Sequence, residues 1–411
     1  MISTFVFWLP FLLRTNSWFG LSIPNSNFLY IYRHYDGPLY AVAAKTLYNP
    51  SLIEKFILDI SFDVKYFSAH LPLYPLLVRL FAPIFNYSKS TIFINVSATL
   101  ALAVFFYYLV KQFKLTKSPL ILTFVFLMVP RFLIVRSIGA PESLFIFLIL
   151  LSLFFFEKKN YLLAGLFGGL ASMTKTPGVL LFVAYVLVFL EQTFRHSGEQ
   201  SDSLGMNPRD ESRIVVQKKL RFRTPLRSSY FVLRTSRDKS SFEGQAIRNG
   251  LQKLFVLLIP TGLLLVFYFY QVQYKDFFAY FHSGDNIHLV APFAVFNSQS
   301  RWVGTAWLED VIFYFFLYLL STVTLKNSRY RSFFYFSLVF LLATSLVQHR
   351  DIGRYSLPLW PLACIALEKF FTSKKFLLTL VILLPAIYLY AWNFSLQNVM
   401  PVSDWSSFFS K

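Results

Sequence analysis

The chain has 411 residues, 56% hydrophobic, 20% aromatic and only 14% charged. A soluble domain of this size carries about 25% charged residues, so a water-soluble globular protein is excluded. The formal charge of +19 comes with no nucleic-acid recognition motif, which excludes nucleic acid as the partner; cations in an apolar chain gather in cytoplasmic loops and against anionic membrane lipids.

In chain order, apolar runs near the roughly 20 residues that a helix needs to cross a bilayer occur at 2–22, 91–110, 118–135, 141–156, 160–175, 177–191, 251–271, 307–325, 332–348, 355–371 and 376–393. They predict an all-α polytopic membrane protein with about eleven transmembrane helices. The runs at 141–156, 160–175 and 177–191 are short, which suits tilted helices. No cleaved leader is expected, because the N-terminus lacks a basic stretch and a small-residue cleavage site. Cys364 is the single cysteine, so intramolecular disulfides and Cys-rich metal sites are excluded.

Orientation follows the cations. Residues 193–253 hold 13 Lys or Arg against 6 Asp or Glu, and short basic connections lie at Lys111/Lys114/Lys117, Lys158/Lys159, Lys326/Arg329/Arg331 and Lys374/Lys375. Eleven helices bring all five to one face, which the positive-inside rule makes cytoplasmic. The stretch 71–85, "LPLYPLLVRLFAPIF", has three prolines and an arginine, so it is expected to lie in the interface without crossing. Three regions result: an N-terminal membrane module (1–192) with an outer loop (23–90), a basic cytoplasmic loop (193–250) and a C-terminal membrane module (251–411).

This topology puts the unusual polar residues on the outer face, in "YRHYDGP" (32–38), "YFSAHLPLYP" (66–75), "RSIGAPES" (136–143) and "QHRDIGR" (348–354), with "TKTPG" (174–178) at an outer hinge. Ionisable groups at membrane depth are costly and mark pathways or reaction sites. Asp36 either caps the helix beginning at Gly37–Pro38 or serves as a general base for an incoming hydroxyl. His70 either anchors the following helix or faces a ligand, and Glu142 suits a helix N-terminus. Lys175 and Arg354 either snorkel to the interface or hold a phosphate. Arg33, His34, Tyr35, His349 and Arg350 complete the candidate substrate-binding set. Gly165 and Gly169 have the spacing of a close helix crossing. No Walker loop, dinucleotide fingerprint or metal-ligand spacing occurs, so no cofactor is called for and a divalent metal is not indicated.

The segments "HYDGPLYAVAAKTLY", "YFSAHLPLYPLLVRLFAP", "PESLFIFLILLSLFFFEKKNYLLAGLFGGLASMTKTPGVLL" and "GRYSLPLWPL" together resemble the PIG-V/GPI mannosyltransferase 2-like family of GT-C membrane glycosyltransferases. The likeness runs over residues 25–185 and 345–370. It implies a GT-C-like bundle, a catalytic aspartate at Asp36 in the first outer loop, and basic positions at Lys175 and Arg354. It also implies a polyprenyl-phosphate sugar donor, typically of mannose, used on the extracytoplasmic face. The family often has Trp before the aspartate where Tyr35 stands, and residues 193–253 match nothing in it. The expected activity is inverting transfer of a hexose, most simply mannose, to a lipid or glycan acceptor. The alternatives are a lipid-linked saccharide flippase or transporter, which would tend to show internal repeats absent here, and a GT-C enzyme moving another sugar.

Overall fold

The computed structural model describes residues 1–34, 36–56, 63–204, 250–284, 289–297, 305–349, 351–400, 402 and 404–410. The candidates Tyr35 and Arg350, and most of the basic loop 193–250, lie outside these residues. Helices dominate, as they must where lipid offers backbone groups no partner. The first half contains α1 (Ile2–Leu12), a hairpin of β1 (Ser17–Trp18) and β2 (Leu21–Ser22), α2 (Gly37–Thr46), α3 (Leu73–Phe85) and α4 (Tyr87–Gln112). Then come α5 (Pro119–Leu127), α6 (Pro130–Val135), α7 (Glu142–Glu157), α8 (Tyr161–Thr174) and α9 (Leu180–Leu204). The second half contains α10 (Leu258–Tyr274), α11 (Thr305–Leu325), α12 (Arg331–Ser345), α13 (Trp360–Ala366) and α14 (Lys374–Gln397).

Five described helices are long and apolar enough to cross a membrane: Tyr87–Gln112, Thr176–Arg195, Gly250–Tyr274, Leu308–Leu325 and Lys374–Gln397. They coincide with five of the expected spans. The protein is an all-α membrane protein by this measure.

Three of the other expected spans are broken. The stretch 2–22 is one short helix followed by a hairpin, whose turn residues Phe19 (φ +48°) and Gly20 (φ +84°) both take the left-handed conformation. Two consecutive positive φ values are what a tight hairpin turn needs, and they end any helix. The stretch 118–135 breaks at Met128–Val129, because Pro130 cannot donate to the carbonyl of Phe126. The Trp360 indole takes over that carbonyl at 2.8 Å. The stretch 355–371 divides into short turns and α13, with prolines at 358 and 361 in the first turns of the pieces.

The segment 71–85 forms α3, whose 13 residues span about 20 Å, too short for the roughly 30 Å hydrocarbon core. Its Leu76, Leu80 and Ile84 are exposed in i, i+4, i+8 register, while Tyr74, Val78 and Ala82 are buried against α2 and α4. Arg79 donates to the carbonyls of Ala44 and Lys45, closing the C-terminus of α2. Both glycines picked out for close packing sit on α8 against the chain leading into α10. A Cβ on Gly165 would lie 2.0 Å from the Phe255 carbonyl oxygen, and one on Gly169 would lie 2.7 Å from that of Leu258.

Three of the short basic connections, those at 111–117, 158–159 and 326–331, meet at one end of the bundle, where Lys158 also lies over the Phe113 ring. Arg329 donates to the Phe113 carbonyl, Arg331 pairs with Glu191, and Ser332 donates to Glu157. Glu157 ends α7, so Glu142, at its start, lies roughly 23 Å away along the axis. The candidate site is built around Glu142.

Candidate functional site

Asp36 occupies the N-cap position of α2, yet its side chain makes no cap hydrogen bond. Its carboxylate accepts from Arg354 Nη2 at 3.1 Å instead. Gly37 lets the turn close: a Cβ there would lie 2.7 Å from the Tyr32 carbonyl oxygen and 3.5 Å from that of Gly139. This close approach brings the Asp36 turn against the 136–141 segment that leads into Glu142. Asn95 of α4 holds that segment from the other side, donating to the carbonyls of Val135 and Ile138.

Glu142 is the hub. Its Oε1 accepts from Lys175 Nζ at 2.6 Å and from Arg354 Nε at 2.7 Å, and the residue is 2% exposed. Two cationic nitrogens on one oxygen cannot lie farther apart than those two bonds end to end, so the heads form a compact cationic pair. Lys175 reaches it because α8 stops at Thr174 and Pro177–Gly178 turns the chain sharply. A Cβ on Gly178 would lie 2.5 Å from the Ser172 nitrogen, so only glycine fits this return. Arg354 arrives from the short helix Ile352–Tyr355.

These groups line a cavity of about 620 Å³. Asp36, His70, Glu142, Lys175 and Arg354 supply its charged and polar wall, and Phe145, Ile146, Leu180, Leu263 and Phe340 contribute an apolar wall. Such a space suits an amphipathic ligand, its polar head on the ionised wall and its hydrocarbon body on the apolar one. His70 is 4% exposed, with its ring edge-on to Tyr40 at 4.9 Å and tilted against Tyr66 at 5.7 Å. Burial pushes its pKa below the usual histidine value, against the pull of Asp36.

Among the described residues, the candidates Arg33, His34 and His349 are not in the lining of this cavity. Arg33 stacks over the Tyr30 ring at 4.4 Å. His34 is fully buried against Phe394 and bridges to Val399; burial, aided by Arg131, depresses its pKa to about 3. His349 accepts from the Asp351 backbone at 3.0 Å and packs on Tyr355.

Several site residues escaped the sequence reading. Tyr40 lies one helical turn after Asp36, the i, i+4 spacing that shares a face, and it also lines the cavity. Tyr280 enters from the 275–284 segment, where its hydroxyl meets that of Thr176 at 2.7 Å. Arg131 pairs with Asp351 behind Arg354, both buried. Nothing in the local sequence paired these last two, which are 220 positions apart. Among the described residues no three His, Cys, Asp or Glu side chains gather as a metal site.

No protein-family model, curated protein or solved structure matches this chain.

Proposed function

We propose that the protein is a membrane glycosyltransferase that moves a hexose, most simply mannose, from a polyprenyl-phosphate donor to a lipid or glycan acceptor. In this reading about eleven helices cross the membrane in a GT-C-like bundle, and the cavity opens toward the extracytoplasmic side. The observation that carries it is one cavity holding a cationic pair, a carboxylate with partial exposure and an apolar wall. The Asp36 side chain is 27% exposed, whereas those of Glu142 and Arg354 are 3% and 7%. Among the three, Asp36 is the group an acceptor hydroxyl can reach.

The chemistry follows from these positions. Lys175 and Arg354 hold the donor's phosphate and oppose the charge that grows on it as the anomeric C–O bond breaks. Asp36 takes the proton of the acceptor hydroxyl as that oxygen attacks the opposite face of the sugar, so configuration inverts (inverting glycosidases share this logic). The apolar wall receives the prenyl chain. The anionic leaving group is already a phosphate, so the scheme uses no nucleotide.

The test is an assay of purified protein with a panel of radiolabelled polyprenyl-phosphate sugars, beside Asp36→Asn. General-base assistance is worth about 10²- to 10⁴-fold; Asp36 makes no cap bond, Asn keeps an acceptor oxygen for Arg354, and Arg354 keeps its bond to Glu142. Transfer should therefore collapse by that factor while the variant folds and binds donor. Unchanged transfer in a folded Asp36→Asn protein would refute the assignment.

A further inference from the structure

We propose that His70 takes up a proton when the donor's phosphate enters the cavity, and then acts as general acid to the leaving phosphate. This rests on the glycosyltransferase reading above. Its ground is the charge of the cavity wall. Among the described residues lining the cavity, Asp36 and Glu142 face Lys175 and Arg354, two charges of each sign. The three ion pairs leave no net positive charge for a ligand.

A sugar phosphodiester brings one negative charge into this balanced, largely buried space. An uncompensated buried charge is strongly unfavourable. His70 is the remaining basic side chain lining the cavity among the described residues. Its ring is buried, with the Tyr66 backbone carbonyl the hydrogen-bonding group beside it. The groups around it come from each neighbouring element. Asp36 and Tyr40 belong to the α2 region, Tyr66 to the preceding turn, and Glu142, Lys175 and Arg354 line the same cavity. Tyr48 donates to its backbone carbonyl, which fixes the turn that carries the ring. Burial, with Arg354 and Lys175 nearby, lowers the imidazole pKa against the pull of Asp36 and the Tyr66 carbonyl, which favours the neutral ring. An arriving phosphate offsets those two cations and favours the imidazolium.

The transfer step then balances. The acceptor O–H proton goes to Asp36 as the new C–O bond forms. The electron pair of the breaking anomeric bond stays on the phosphate oxygen, which receives the imidazolium proton. Polyprenyl phosphate leaves as a monoanion, and His70 returns to neutral.

The test is calorimetric binding of farnesyl-phosphate mannose, a diester whose single charge does not titrate near neutrality, to the full chain in nanodiscs. Titrations at about pH 7.5 in two buffers of different ionisation enthalpy give the proton stoichiometry. The expected result is uptake of about one proton per donor, with affinity falling by up to about tenfold per pH unit on the alkaline side. His70→Gln should bind more weakly, with no uptake and little pH dependence. Wild-type binding with no proton uptake, or the same uptake in His70→Gln, would overturn the proposal and leave the donor reading standing. No binding of the diester to the wild type would remove both. If His70→Gln does not fold, the wild-type profile decides, and an affinity flat between about pH 6 and 9 overturns the proposal.

Discussion

Replacing Glu142 with Gln removes the charge that Lys175 and Arg354 share. The carboxylate is 2% exposed and both cations donate to the same oxygen, at 2.6 and 2.7 Å. Taking one partner from a buried ion pair costs about 3–5 kcal/mol. Gln keeps an acceptor oxygen and Arg354 keeps Asp36, so the lower end applies, about 3 kcal/mol. Against a total stability of about 5–15 kcal/mol this is a large loss. For a chain of this length it corresponds to a midpoint drop of about 3–4 °C. Cys364 supplies the assay: it is the only cysteine and is fully buried, so a thiol-reactive dye reports its exposure on heating in detergent. Adding Lys175→Met removes one of the stranded cations. The double variant should therefore lose less than the sum of the single losses, by about 1–3 kcal/mol. A Glu142→Gln midpoint within about 1 °C of wild type would refute the hub, because changes that small belong to surface positions.

Other expectations follow from the same coordinates. In a Cys364→Ser background, a cysteine at exposed Leu52 should react with an impermeant reagent on intact cells, and one at Lys326 only after permeabilisation; the reverse pattern inverts the topology. Gly262→Ala would put a Cβ 2.5 Å from the Gly169 carbonyl oxygen, so it should cost about 1–3 kcal/mol in thermal unfolding, whereas Gly250→Ala, with nothing within 4 Å, should cost far less. His34 is held neutral with a pKa of about 3, against about 6.5 in the unfolded chain. Its contribution is full above the unfolded value and falls as pH drops, by about 2 kcal/mol between pH 7 and 5. A His34→Phe protein that keeps the whole acid sensitivity of the wild type would show that the source lies elsewhere.

The membrane character was legible because the bilayer is a simple solvent. It demands long apolar helices, and five described helices meet that demand, each over one of the expected runs. The charges at Asp36, Glu142, Lys175 and Arg354 were legible for the same reason, since a chain this apolar carries ionisable groups at depth only where something compensates them. Pro130, Pro358 and Pro361 were visible too. Reading unbroken spans through them failed because hydropathy counts side chains and not missing N–H groups. The Trp360 indole that satisfies the Phe126 carbonyl comes from 234 positions away.

The sequence by itself determined which residues are expensive to bury. Only the tertiary structure decided how they are compensated. Local pattern allowed Asp36 to be a helix cap, whereas folding gave its carboxylate to Arg354, 318 positions along. Local pattern allowed Glu142 to serve the α7 dipole, whereas folding put two cations, 33 and 212 positions away, on one of its oxygens. Arg33, His34 and His349 carried the same chemical promise as His70, but folding set them against Tyr30, Phe394 and Tyr355. A charge announces itself in sequence through its desolvation cost. Its partner is set by which helices pack together, and that depends on backbone approaches such as Gly37 on Tyr32 and Gly178 on Ser172, where the absence of a side chain matters.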